Sequence, residues 1–295
     1  MPYAGEILSV VAAVLWALAL VLFRKSGEKV HPIALNMFKD LVALVLYLPT
    51  LYIAGETLFI DAPARDWWLM LASGAIGIAI GDTLLFWSLN MLGAGTYALI
   101  SSMYSPTIIL LAFFFVGEQL GLVQIAGAAL IVGAVLEATR TPGDEQSVDR
   151  RHQLLGVVIG LAGVLSMGVA VVMIKPLLAT APLFWAVEIR LAGGVVALAV
   201  ILLLHPRRKE IVRSLFVRSH RGVTITGSLI GGYVAMACWL GGIKLTQVSI
   251  ASALNQTYTV FTLIFAAIIL RERITRLRVA AILTALVGAL MVTFG

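Results

Sequence analysis

Residues 105–133 read SPTIILLAFFFVGEQLGLVQIAGAALIVG, and residues 260–288 read VFTLIFAAIILRERITRLRVAAILTALVG. Each stretch is an apolar run, a short polar break and a second apolar run. Setting residue n against n+154 aligns Tyr104 with Tyr258, Ala112 with Ala266, Glu118 with Glu272 and Ala126 with Ala280, without a gap. The identities are few, but an ungapped register that lays one polar break on the other is the mark of an internal duplication. Farther out, Pro32 and Pro182 each open an apolar run that carries a cation seven or eight residues later, at Lys39 and at Arg190.

Apolar runs of this kind fill the chain. A bilayer core needs about 20 apolar residues per helix, and the spans predicted on that criterion are 4–23, 32–53, 67–90, 95–116, 121–138, 154–174, 182–204, 222–243, 248–270 and 276–294. Of the 295 residues, 61% are apolar and 12% charged, with a mean hydropathy of +1.03. A soluble domain is about half apolar and one quarter charged, so this composition requires a lipid-facing surface. The first run is too long for a signal-peptide core and is followed by Arg24-Lys25 in place of a cleavage site, which marks a retained span. The expected fold is therefore an all-α integral membrane protein of ten transmembrane helices.

The most hydrophilic connection, residues 140–153, falls near the middle of the chain. It separates residues 1–139 from 154–295 as two five-helix repeats. Because five is odd, the second repeat enters the membrane the other way round, giving an inverted repeat with a substrate site near the midplane. The odd-numbered connections hold sixteen Lys and Arg, from Arg24 to Arg278, whereas the even-numbered ones hold Arg65, Lys175 and Lys244. The positive-inside rule makes the odd connections cytoplasmic and places both termini outside. It also accounts for the net charge of +6 without a nucleic-acid partner. Cys238 lies alone in an apolar run, and His31, His152, His205 and His220 fall in connections without ligand spacing, so neither a disulfide framework nor a metal centre is expected.

With these features in view, the chain resembles the drug/metabolite transporter superfamily, EamA-type, over essentially its whole length. In that family a mid-helix proline, a glutamate at the helix end and a glycine-spaced following helix recur, matching Pro106, Glu118, Gly127 and Gly133 here. The second half keeps Glu272 and Gly288 but has Val260 where the proline would stand. The resemblance implies export or exchange of a small metabolite by alternating access in the cell membrane, with the lipid bilayer, the solute and protons as partners and no cofactor. In one respect the chain departs from it. Members of the family generally have both ends in the cytoplasm, and the charge count here places them outside.

A charged side chain inside a span costs roughly 2.5–3.5 kcal/mol on insertion scales, so each needs a partner or a water-filled cavity. Lys39, Asp40, Asp82, Glu188 and Arg190 are the five such residues. At about 1.5 Å per residue, Lys39 and Asp82 lie at similar depth from the same face, which predicts an intramembrane pair that opens when substrate or a proton arrives. Asp82 is the expected proton site. Static ion pairs that only fix helix register would use the same residues. Polar residues also recur at related positions of the fourth and ninth spans, namely Ser101, Ser102, Tyr104 and Ser105 against Asn255, Gln256, Tyr258 and Thr259. They either line the substrate site or bond within and between helices.

Trp16, Trp87 and Trp239 are placed deep in their spans, where they either stack on a ligand or pack. Glu118 and Glu272 are placed at the water boundary, and the glycines at 74, 77, 81, 127 and 133 are read as close helix contacts. Two other readings were weighed against a carrier. An intramembrane aspartyl protease would use Asp40 and Asp82, but Lys39 and Ala79 stand where its motif needs tyrosine and glycine. A channel would need a ring of like charges or a carbonyl filter, which the sequence lacks.

Overall fold

The computed structural model describes residues 3–116, 121–140, 150–178, 180–217, 220–245, 254–272 and 275–294. Glu118, most of the 140–153 connection and the first residues of the ninth span therefore lie outside the described residues, as does the side chain of Ser105. Among the described residues the regular structure is entirely helical, and helices occupy each of the ten predicted spans. Spans 1, 2 and 3 are Ala4–Ser26, Pro32–Ile53 and Ala64–Leu92; spans 6, 7 and 8 include Arg150–Val172, Leu183–Leu204 and Arg221–Gly242. These six are each long and apolar enough to cross a bilayer. At 22 residues Pro32–Ile53 spans roughly 33 Å, more than the roughly 30 Å hydrocarbon core. Spans 5 and 10 are Leu122–Arg140 and Arg276–Phe294.

Local chemistry sets the ends of these helices. Pro32 starts span 2, where its missing N–H costs nothing, and the His31 ring accepts from the Ile33 amide at 3.3 Å to cap the helix. Spans 3 and 4 are joined through Gly93, whose φ of +79° reverses the chain in one residue and suits glycine best.

The duplication is visible in the backbone. Span 3 carries a π-helical stretch at Gly74–Asp82, and span 8 carries one at Ser228–Val234, beginning 154 residues later. Span 4 breaks between Ala94–Ser101 and Tyr104–Val116, and span 9 is helical again from Tyr258, also 154 residues on. Packing obeys the same symmetry. Span 1 lies on spans 8 and 9, and span 6 lies on spans 3 and 4; span 2 lies on 8, and span 7 on 3. Spans 2 and 7, 4 and 9, and 5 and 10 each pack on their own counterparts. Exchanging every span for the one five places on reproduces this set. Such interlocking is what an inverted repeat about an axis in the membrane plane requires.

Glycine permits the closest crossings. A Cβ on Gly127 would stand 2.6 Å from the Gly288 carbonyl oxygen, and one on Gly288 equally close to that of Gly127, which locks span 5 to span 10. Gly77 and Gly81 abut Ala170 and Met167 of span 6. Gly133, expected to be a contact of this kind, has nothing within 4 Å of its Cβ position and faces outward. The apolar side chains left exposed, among them Val45, Phe114, Phe115, Val158, Val196 and Ile268, form the surface presented to lipid.

Candidate functional site

The π-helical stretch of span 3 ends at Asp82. A π-turn widens the helix and leaves carbonyls looking for donors. Asn36 of span 2 supplies one, its amide donating to the Ile78 carbonyl at 2.8 Å and to the Thr83 hydroxyl at 3.1 Å. That clasp ties span 2 to span 3 one turn below Lys39. The Lys39 ammonium donates to Asp82 Oδ2 at 2.5 Å and lies 2.8 Å from Asp40 Oδ1. The predicted Lys39–Asp82 contact is thus present, and Asp40 joins it. Asp40 is almost fully buried, at 2% exposure, whereas Asp82 is the most open of the three at 20%. One ammonium thus answers two carboxylates.

Arg190 enters from the second half. Its guanidinium lies beside Gly77 of the π-helical stretch, where a Cβ would be 3.7 Å from Nη2, and its own backbone carbonyl packs on Gly74. Tyr104 and Asp82 are the groups near enough to act on its charge. Asp82 and Tyr258 likewise act on Tyr97. The Ser101 and Tyr258 hydroxyls hydrogen-bond to each other, joining the breaks of spans 4 and 9 across the two halves. Lys39, Asp82, Tyr104, Arg190, Asn255 and Tyr258 are all partly exposed although they sit within spans. Lys39, Asp40, Asp82, Tyr97, Tyr104, Arg190 and Tyr258 thus form a polar centre drawn from both halves.

The remaining candidates divide. Ser102 bonds back to the Leu99 carbonyl at 2.6 Å, and Thr259 to that of Gln256 at 3.0 Å, so both hydroxyls serve their own helices. Gln256 is buried, and Asn255 keeps an unbonded Oδ1. Glu188 does not pair with Arg190. It is buried at 2% exposure with Oε2 unbonded, near Tyr47, whose hydroxyl donates to the Tyr233 carbonyl at 3.1 Å. Trp16 stacks on Trp239 with ring centroids 5.7 Å apart and donates to the Gly231 carbonyl at 3.2 Å, which occupies both its face and its N–H. Trp87 is 38% exposed and packs on His31 near the membrane boundary, so it is not deep as expected.

Glu272 does more than mark the water boundary. Its carboxylate accepts from the backbone amides of Ala94 and Gly95, at 3.0 and 3.2 Å, and so caps the start of span 4 from the end of span 9. Sequence reading also missed Asn36 and Tyr97. Asn36 was findable, because it precedes Asp40 by four residues and so shares its helix face. The aspartyl-protease arrangement is not formed, since Asp40 and Asp82 are bridged by the Lys39 ammonium instead of facing each other.

Comparison with known proteins gives three results. The profile of the EamA-like transporter family matches residues 3–139 and again residues 154–294. A protein of Archaeoglobus fulgidus described as an uncharacterized transporter is 25% identical over 288 residues, covering 97% of this chain and 96% of its own. A crystal structure, described only as that of a protein, superposes with a TM-score of 0.61 at 16% identity, covering 99% of this chain and 96% of the other. That last likeness bears on the fold alone.

Proposed function

The chain belongs to the EamA-like transporter family, and from that premise we propose that it exports a small polar or amphipathic metabolite, such as an amino acid, by proton-coupled alternating access. It is an integral membrane transporter and not an enzyme. Residues 1–139 and 154–295 act as the two repeats, with 140–153 as the linker. The cell membrane is its location, with both termini outside by the charge bias.

The observation that carries this reading is the meeting of the halves at one polar centre. Lys39, Asp40, Asp82 and Tyr104 come from the first repeat, and Arg190 and Tyr258 from the second; this reading adds Asn255 and Gln256, which lie just before the ninth-span helix that starts at Tyr258. Charged groups inside a bilayer are retained where a solute or ion passes. A centre shared by two interlocked repeats opens to alternate sides when one repeat rocks against the other. Asp82 is the proton-binding member in this reading, and its protonation would release the Lys39 ammonium that its Oδ2 now holds. Glu188 and Trp16 stand apart from this centre and shape the neighbouring packing.

The test uses purified protein in liposomes with an internal pH dye, challenged with a panel of amino acids and other metabolites. Wild type is expected to show a solute-evoked pH change that Asp82→Asn abolishes. Solute flux without any pH change would remove proton coupling and return Asp82 to the structural ion pairs. The absence of flux for every solute would remove the transport assignment of this panel's chemistry.

A further inference from the structure

The buried charges of the polar centre are not equivalent. Lys39 has two carboxylates within hydrogen-bond reach. Arg190 makes no hydrogen bond or ion pair among the described residues, and its Nε is buried without a partner. A guanidinium carries five N–H donors in a rigid fork. Leaving that fork unmet inside a span is expensive, and nothing about the packing of span 7 demands it, because Gly74 meets the backbone of residue 190 and not its side chain.

We propose that Arg190 is the binding site for an anionic group of the transported solute, a deepening that rests on the carrier reading above. The planar fork matches the two oxygens of a carboxylate or the oxygens of a phosphate. Access to it is built in. Residue 77, opposite Nη2, is glycine, so no side chain from span 3 covers the guanidinium there, and Tyr104 adds a hydroxyl beside it. The charge of the surroundings selects between the two anions. Asp82, partly exposed and one of two carboxylates that share a single ammonium, lies close enough to act on Arg190. A dianionic phosphate would be repelled there, whereas a carboxylate carried on a molecule with an amine satisfies both ends. The ligand class is a monoanionic carboxylate whose cationic end faces Asp82.

The experiment measures ligand-induced thermal stabilisation of purified wild type, Arg190→Lys and Arg190→Gln, with the 20 common amino acids, their amides, the corresponding decarboxylated amines, and a set of sugar phosphates and phosphoamino acids as probes. At least one free amino acid is expected to stabilise wild type while its amide and amine do not. Affinity should fall about 10- to 100-fold in Arg190→Gln, with only partial recovery in Arg190→Lys, which restores the charge but not the fork. Stabilisation by phosphates in preference to carboxylates would overturn the assignment to carboxylate. Equal binding of amides and acids, binding unchanged in Arg190→Gln, or no stabilisation by any anionic probe would overturn the anchor itself. Counterflow in liposomes separates the two proposals. Flux of an uncharged solute that survives Arg190→Gln would leave the carrier standing without this anchor, and anion binding without flux of any solute would leave the anchor without the carrier.

Discussion

Replacing Gly74 by alanine puts a methyl group where the backbone of span 7 already stands. The added Cβ would lie 1.9 Å from the Arg190 carbonyl oxygen, 2.8 Å from its carbon and 2.9 Å from the Gly194 nitrogen. All three are backbone atoms, so no rotamer change relieves the clash. Ordinary contact begins at 3.4 Å, and spans 3 and 7 must therefore part by about 1.5 Å, the difference between 3.4 and 1.9. A Cβ on Gly193 would likewise stand 2.2 Å from the Leu71 carbonyl oxygen on the same seam, which leaves the crossing little room to slide. Overpacking of this kind costs about 1–3 kcal/mol, and a clash with backbone belongs at the upper end. The helix-propensity gain of about 0.5–1 kcal/mol for Gly→Ala offsets part of it, for a net loss of about 2 kcal/mol. Gly133→Ala is the control, because that helical position is exposed with nothing within 4 Å, and there the propensity gain acts alone. The two substitutions should shift the apparent Tm of the detergent-purified protein in opposite directions. Gly74→Ala should also weaken transport, since the displaced backbone is that of Arg190. A Gly74→Ala protein as stable as Gly133→Ala would refute the reasoning.

Two other perturbations test separate parts of the structure. At the head of span 2, burial and the neighbouring His205 pull the His31 imidazole below its ordinary value of 6.5. The unfolded chain then binds the proton more readily than the folded one, so stability is full above pH 6.5 and falls as the pH drops below it; Tm measured against pH should show this loss in wild type and not in His31→Asn, which keeps a capping acceptor. At the seam of spans 4 and 9, Glu272→Ala removes both bonds to the Ala94 and Gly95 amides. A charged cap of this kind contributes about 1.5–3 kcal/mol, so a cysteine placed at Thr96 in a Cys238→Ser background should label roughly 10- to 100-fold faster in Glu272→Ala, and unchanged labelling would show that Glu272 does not hold this side closed.

The depth of the charged residues was legible in the sequence; the rotation of each side chain about its helix axis was not. Counting residues from Pro32 brings Lys39 to the depth of Asp82, and the two do meet. Such counting says nothing of the side a residue faces: Glu188 and Arg190, at positions i and i+2 of one helix, face different sides, and the two side chains serve different surroundings. Trp87 was misjudged in depth: it lies in the last two turns of span 3, beside His31 at the head of span 2. The π-helical stretches add a further obstacle, since a wider turn resets the face of every residue beyond it. Nothing in GAIGIAIGD announces such a turn. The 154-residue offset, by contrast, survived into the backbone, in the paired π-helical stretches and the paired breaks of spans 4 and 9, because it reports a shared fold and not a shared set of side chains.

The site was legible as a list of residues and illegible as an assignment of roles. Five charged residues within spans are three carboxylates and two cations, and a tally allows several pairings. The structure distinguishes them by geometry. Lys39 gathers two carboxylates, from spans 2 and 3 of the first half. Arg190, in the second half, faces the same centre, and among the described residues its buried Nε has no partner. Glu188, two residues earlier, faces Tyr47 of span 2 on another side of the same helix. Span 7 therefore presents opposite charges to different neighbours, and its backbone packs on the π-helical stretch between them, at Arg190 and Gly194 against Gly74.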